Sequence, residues 1–263
     1  MKISIFGLGY VGCVSLGCLA KNGHEVIGVD VNKTKIRFIN SGKSPIVEKD
    51  IDNIINEQHR IGRISATSNS IAAVKKSEVS FICVGTPSTT NGHPNLSSIY
   101  NVSREIARGI KEKNSFHVIV IRSTVPPGTN DKVLKLIGKE SGKTADKHFS
   151  VVSNPEFLRE GSAVSDFYTP QYTLIGCRND KAIDKMRSIY EAIQSPFVVT
   201  DVKVAEMIKY VNNAFHALKI TFANEIGNIC KKLKIDSHRL MDIFCMDTKL
   251  NLSPYYLKPG FAY

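Results

Sequence analysis

The sequence contains no Cys-x-x-Cys pair, no cysteine and histidine spacing that suits a metal, and no run of five basic residues. Low-complexity tracts, repeats and apolar stretches of membrane-spanning length are also absent. Each absence removes a class. Six unpaired cysteines (Cys13, Cys18, Cys83, Cys177, Cys230 and Cys245) argue against a zinc module or a secreted disulfide scaffold. They read as reduced, mostly structural thiols, and no metal is expected. Without roughly 20 consecutive apolar residues there is no membrane helix to assign. Lys2 followed by apolar residues imitates a signal peptide, but Gly7, Gly9 and Gly12 interrupt it and Lys21 follows soon after. The cytoplasm is therefore the expected location. Charge is one-sided, with 35 Lys+Arg against 24 Asp+Glu and a net of +11. Because the basic residues are scattered, they suggest a phosphate-rich small ligand, and neither nucleic acid nor a membrane is expected as partner. What remains is an ordinary globular composition, 42% hydrophobic and 22% charged, in 263 residues. That length suffices for one large domain or two smaller ones.

The first half carries an ordered set of signals. Lys2–Phe6 is a short apolar run rich in β-branched residues, as a buried parallel strand requires. Gly7-Leu-Gly9-Tyr-Val-Gly12 follows, then a helical segment from Cys13 to Asn22 closed by Gly23. A second strand over Glu25–Asp30 ends in an acid 18 residues after Gly12. In such a unit Gly7 permits the tight turn, Gly9 lets the backbone approach a pyrophosphate, and Gly12 allows close helix packing. The helix N-terminus offers free N–H groups to phosphate, and Asp30 would accept from ribose hydroxyls, which favours NAD over NADP. Tyr10 and Val11 stand within the glycine turn, and Lys35 lies one turn into the next helix, within reach of the adenosine ribose or simply solvated. Further strands are expected at Val79–Val84, His117–Ile121 and Phe149–Val152, with helices around 69–76 and 97–112. The alternation predicts a doubly wound parallel sheet, a Rossmann fold over 1–200. Ligands bind at the carboxyl ends of such strands, which draws attention to Thr86, Thr124 and Glu156.

In the second half, Tyr172–Ile175 and Phe197–Thr200 read as two more strands flanking a helix near 180–193. From about Asp201 a helix is expected to run to near Leu233, opening a helical region over 201–263. At about 100° per residue, with Lys209 at zero, Asn213 falls near 40°, His216 near −20° and Asn224 near 60°. Val211, Phe215, Leu218, Phe222 and Ile229 cluster between roughly 180° and 240°. A polar stripe poor in charge pairs therefore opposes an apolar face, and facing a cleft it would offer a cation and amides to a hydroxylated or anionic ligand.

Gly7-Leu-Gly-Tyr-Val-Gly12, Ser44-Pro-Ile-Val-Glu48, Val84-Gly-Thr-Pro87, Ser123-Thr-Val125 and Asn154-Pro-Glu-Phe-Leu-Arg-Glu160 all resemble the UDP-glucose/GDP-mannose dehydrogenase family. So do Glu206-Met-Ile-Lys-Tyr-x-x-Asn213, Phe222-Ala-Asn-Glu-Ile-Gly227 and Ser253-x-Tyr-Tyr-x-x-Pro-Gly-Phe261, in the same order along the whole chain. The last loop and the Lys209/Asn213/His216 helix look more like the GDP-mannose members than the UDP-glucose ones. The resemblance implies an NAD-dependent four-electron oxidation at C6, GDP-mannose to GDP-mannuronate, feeding polysaccharide biosynthesis. A UDP-sugar substrate stays open. So does a cofactor-binding or regulatory module without turnover, while a β-hydroxyacid dehydrogenase fits poorly with Asn154–Leu158 and Tyr255–Phe261. By resemblance, Lys209 stabilises the developing oxyanion or moves its proton, Asn213 orients the reacting carbon, and Thr124 and Glu156 position and activate water. Gly7, Gly9, Tyr10, Val11, Gly12, Asp30, Lys35, Thr86 and Thr124 would hold NAD. Glu160, Lys209, Asn213, His216, Asn224, Tyr255, Tyr256, Lys258 and Phe261 would hold the nucleotide sugar. The family's catalytic thiol is expected in a Gly-Gly-x-Cys segment beyond Tyr263, so none of the six cysteines occupies its place and a second nucleotide-binding domain is also expected to be missing. A homodimer or higher homo-oligomer through the long helix is the implied assembly.

Overall fold

Apolar strands alternate with amphipathic helices and close into one eight-stranded sheet. The computed structural model describes residues 1–249 and Leu257. Its elements are β1 (Lys2–Phe6), α1 (Tyr10–Lys21), β2 (Glu25–Val29), α2 (Lys33–Asn40), α3 (Ile51–Arg60), β3 (Ile64–Thr67), α4 (Ser70–Lys76) and β4 (Val79–Ile82). These are followed by α5 (Ser97–Lys111), β5 (His117–Ile121), α6 (Thr129–Ser141), β6 (Phe149–Ser153), α7 (Ala163–Tyr168) and β7 (Thr173–Gly176). The last elements among the described residues are α8 (Asp180–Ile189), β8 (Phe197–Thr200), α9 (Val202–Leu233) and α10 (Ser237–Cys245). The chain divides into two compact units, Met1–Tyr210 and Val211–Tyr263.

Strand order is β3-β2-β1-β4-β5-β6-β7-β8, and the first six are parallel. The order reverses between β1 and β4, the crevice where doubly wound sheets bind ligands. Period-2 alternation sends Ile3, Ile5, Phe81, Val118 and Val120 to a core on one face of the sheet. Phe6, Ile82, Ile119 and Ile121 go to a second core on the other face. The sheet departs from the expected all-parallel arrangement at its far end, where β7 runs antiparallel to β6. The register pairs Ser153, the last residue of β6, with Gly176, the last residue of β7. The segment between them therefore stays at the carboxyl edge, with only the six-residue α7 in it and no full crossover helix. β8 pairs parallel with β7 and returns the chain to that edge, where α9 begins. The short strand β3, Ile64-Ser-Ala-Thr67, is an element absent from the sequence expectation.

Three polar residues interrupt the apolar strands and satisfy one another. Ser4 Oγ lies 2.7 Å from Ser80 Oγ and 2.9 Å from Ser77 Oγ, and Ser80 Oγ is 2.8 Å from His117 Nε2. Lys113 Nζ donates to Val74 O at 3.1 Å, to Ser77 O and to His117 Nδ1 at 3.0 Å. With an ammonium on Nδ1, the imidazole proton belongs on Nε2, facing Ser80. Burial, and then the charge of Lys113, hold His117 well below the usual imidazole range; burial also pushes Lys113 down to about 8. A base depressed in the folded state stabilises the fold above its unfolded pKa and loses that contribution as pH falls. Unfolding free energy should therefore decrease below about pH 6.5, with a slope of about 1.4 kcal/mol per pH unit for one proton. The slope difference between the parent chain and His117→Asn, measured by urea unfolding from pH 7.5 to 5.5, isolates this site. Identical slopes would mean that His117 takes up its proton inside the fold.

Candidate functional site

The loops leaving the carboxyl edge converge at the β1/β4 crevice. Gly7 sits at φ +96°, a conformation side chains resist, and its N–H bonds Val29 O at 2.8 Å, tying the first turn to the end of β2. Gly9 is the N-cap of α1 but supplies no side-chain cap, and the first turn carries no acid, so the helix end keeps donors available for an anion. A Cβ built on Gly9 would meet nothing within 4 Å, so the turn is open on that side, while one on Gly12 would collide with Gly7 O at 1.8 Å. These features fit a bound pyrophosphate. Asp30 stands just past the end of β2, one residue beyond the strand expected to contain it. Its Oδ2 accepts from Leu8 N at 2.7 Å and its Oδ1 from Asn32 N at 2.8 Å. Two backbone donors leave lone pairs on both oxygens for ribose hydroxyls. Lys35 Nζ lies 3.8 Å from Asp30 Oδ2, so this lysine is partnered with the acid and not merely solvated. Thr86, past β4, donates to Thr124 O at 3.0 Å, and Ser123 Oγ donates to Val84 O at 2.6 Å, joining the loops after β4 and β5.

The loop after β6 meets the first turns of α9. Glu156 Oε1 and Lys209 Nζ form an ion pair at 2.9 Å, with side chains only 12% and 11% exposed. Glu156 Oε2 accepts from Leu158 N at 2.7 Å, and Lys209 Nζ also lies 5.7 Å from the Phe157 ring centre. A carboxylate and an ammonium 53 positions apart in sequence are thus placed together with little water between them, where their field is stronger than at a surface. Behind them, buried Glu206 accepts from Gly128 N at 2.6 Å and Asn130 N at 2.7 Å, fastening the start of α9 to the N-terminus of α6. Burial raises the Glu206 carboxyl above its usual range, the backbone donors opposing it.

With this geometry in hand, comparison with known proteins is specific. Residues 1–194 match the NAD binding domain of the UDP-glucose/GDP-mannose dehydrogenase family, and residues 203–263 match its central domain. The chain belongs to this family. NAD is the cofactor of the domain that it carries. It is 52% identical to the GDP-mannose 6-dehydrogenase of Pseudomonas aeruginosa, over all of this chain and 61% of that protein. It is 40% identical to the UDP-glucose 6-dehydrogenase of Rhizobium meliloti, over all of this chain and 60% of that protein. A crystal structure of a ternary complex of the P. aeruginosa GDP-mannose dehydrogenase superposes with a TM-score of 0.98, covering 100% of this chain and 61% of that one. A UDP-glucose dehydrogenase from Pyrobaculum islandicum gives 0.90 at 38% identity, covering 94% and 57%. The chain therefore spans about three fifths of the length of these relatives.

Of the other nucleotide-sugar residues singled out by the sequence, four are exposed and four lie outside the described residues. Glu160 is exposed in the loop after β6, near enough for its charge to raise the Tyr10 phenol slightly. Asn213, His216 and Asn224 lie on α9 within the second unit and are exposed. Tyr255, Tyr256, Lys258 and Phe261 lie outside the described residues. Two buried or bridging acids, Glu48 and Glu206, stand in the sequence motifs without an assigned role, and a third group, Arg122, directly precedes the Ser123-Thr-Val125 motif. Arg122 Nη1 donates to Asn154 Oδ1 at 2.8 Å and to Tyr190 Oη at 3.2 Å, and Asn154 Nδ2 donates to Leu174 O at 2.9 Å. These bonds root the loop that carries Glu156. Cys13, Cys18 and Cys83 are buried, and burial pushes each thiol up to about 12, which removes them as nucleophiles. Among the described residues no group of His, Cys, Asp and Glu is arranged to hold a metal, and no helix is long and apolar enough to cross a membrane.

Replacing Asp30 removes a two-oxygen acceptor from the end of β2 and also frees Leu8 N. Asp30→Ala should weaken NAD binding by about 1–3 kcal/mol, measured by calorimetric titration. Unchanged affinity would show that the cofactor does not lie along this turn.

Proposed function

We propose that this chain provides the cofactor domain, over 1–200, and a helical region, over 201–263, of an NAD-dependent nucleotide-sugar 6-dehydrogenase. The favoured substrate is GDP-mannose, oxidised at C6 to the carboxylate with four electrons passed to two NAD. The observation that carries this reading is the shielded Glu156–Lys209 pair. Bound NAD supplies the hydride acceptor. The first turn of α1, with Asp30, Lys35, Thr86 and Thr124, holds it at the carboxyl edge. Lys209, held by Glu156, presents a fixed positive charge to an oxygen that becomes anionic as the sugar hydroxyl loses its proton. Glu156 is the acceptor for a proton from water in the hydrolytic half, with Thr124 placing that water. Asn213, His216, Asn224 and Glu160 are proposed as sugar-nucleotide contacts, as are Tyr255, Tyr256, Lys258 and Phe261.

Assembly and location belong to the same proposal. Val211, Leu218, Phe222 and Ile229 on α9 are 47%, 62%, 44% and 54% exposed, a row of apolar side chains that a second copy would cover. The cytoplasm is the proposed location. GDP-mannose is favoured over UDP-glucose by the 52% against 40% identity to enzymes of those names. The test is NADH formation by the full-length protein with each nucleotide sugar, beside calorimetric titration of NAD into this chain. The reading expects NAD binding and turnover with GDP-mannose. NADH from UDP-glucose alone would reassign the substrate, and no NAD binding would remove the activity altogether.

A further inference from the structure

Glu48 joins three loops that are remote in sequence. Its carboxylate accepts the Tyr10 hydroxyl, the Gly161 N–H at 2.8 Å through Oε2 and the Ala163 N–H at 3.2 Å through Oε1. Gly161 N also lies 3.2 Å from Tyr10 Oη, closing a triangle. Tyr10 is the first residue of α1, directly after the open Gly9 turn. Gly161 and Ala163 end the segment that begins at β6 and carries Glu156. The third loop is itself braced: Ser44 Oγ donates to Ile46 O at 2.8 Å, and Ser44 N donates to Asp52 Oδ1 at 2.8 Å. Burial, and then the bond to Glu48, push the Tyr10 phenol up to about 12, so it remains the donor at neutral pH.

A carboxylate can satisfy this set because it accepts at both oxygens and donates at neither. An amide in the same place offers one acceptor and two competing donors. We propose that Glu48 is a positioning residue that couples the cofactor turn to the Glu156 loop, so that ordering of the turn by NAD is passed through Tyr10 and Glu48 to Gly161 and Ala163. This rests on the reading of the Gly7–Gly12 turn as the NAD site. Its consequence is that bound NAD and an ordered catalytic loop favour one another, since a ligand that orders a shared element lowers the cost of ordering its neighbour.

The test is amide hydrogen exchange at Gly161 and Ala163, without NAD and at saturating NAD, in this chain and in Glu48→Gln and Tyr10→Phe. In the parent, NAD should slow both amides by about tenfold or more, equivalent to about 1.4 kcal/mol of added local stability. Glu48→Gln should bind NAD yet lose that added protection. Tyr10→Phe removes one acceptor of the Gly161 N–H but leaves both backbone bonds of Glu48 in place, so protection of Ala163 without NAD should match the parent while the NAD-linked increment disappears at both amides. A merely structural role would lower the protection without NAD and leave the increment intact. Retention of the full increment in Glu48→Gln, or no increment in a parent chain that binds NAD, would overturn the proposal. No NAD binding by the parent would instead overturn the cofactor-site reading beneath it.

Discussion

Lys209→Ala in the full-length protein should lower kcat by about 10²–10⁴-fold while moving KM for the nucleotide sugar much less. The reason lies in the pairing. Lys209 is nearly buried against Glu156 at 2.9 Å, so its charge is fixed in place before any substrate binds and needs no reorganisation as an oxyanion develops. A cation used only to anchor phosphate or sugar would stabilise ground and transition states alike, and its loss would appear in KM. Removing the ammonium also leaves Glu156 as an uncompensated carboxylate in a shielded site, a change that destabilises by about 3–5 kcal/mol where burial is complete and by less here. Thermal unfolding of the same variant separates the two effects. If Glu156 and Lys209 act as a unit, Glu156→Gln with Lys209→Ala should be far from additive, costing little more than the worse single change. Strict additivity, or a loss confined to KM, would remove Lys209 from the chemistry.

Much of this architecture can be read from the sequence because local pattern and global fold agree over the first half. The β1-turn-α1-β2-acid succession needs only neighbouring residues to be legible, and the structure reproduces it, with α1 beginning three residues earlier, at Tyr10, and β2 stopping one residue short of Asp30. The long helix, free of proline, also appears where its period places it, at Val202–Leu233. What escaped depends on distance in sequence. β3 is four residues with alternating burial, too short to stand out until β2 is present to pair with it. The antiparallel turn of β7 is decided by the absence of a crossover helix between 153 and 173, a negative signal inside a loop. Glu48 lies in a motif, but its partners stand 113 and 115 positions away. Glu206 likewise sits one turn before Lys209, while the amides it receives are 76 and 78 positions earlier. A carboxylate collecting backbone N–H groups leaves no periodic trace, so only the folded chain shows which acids brace the site.

Gly12→Ala should be the most damaging alanine substitution among the described glycines. The residue is already helical, so alanine gains about 1 kcal/mol of intrinsic propensity over glycine. Against this, its Cβ would stand 1.8 Å from Gly7 O, 3.0 Å from Gly7 C and 3.3 Å from Cys83 Cβ. The first two are backbone atoms of the turn itself and cannot rotate away, so either α1 lifts from β1 or the turn opens. Overpacking of this kind costs about 3 kcal/mol or more when backbone must move. Both the urea midpoint and NAD affinity should therefore fall. Gly9→Ala is the contrasting case, because its Cβ meets nothing within 4 Å. It should leave the unfolding midpoint nearly unchanged and still weaken NAD, since the methyl projects into the open side of the turn where a pyrophosphate would approach. Titration calorimetry and urea unfolding on the two variants distinguish a glycine required by the fold from one required by the ligand. Parental NAD affinity in Gly9→Ala would place the pyrophosphate away from the turn, and a stable Gly12→Ala would mean that α1 can move without loss of the sheet beneath it.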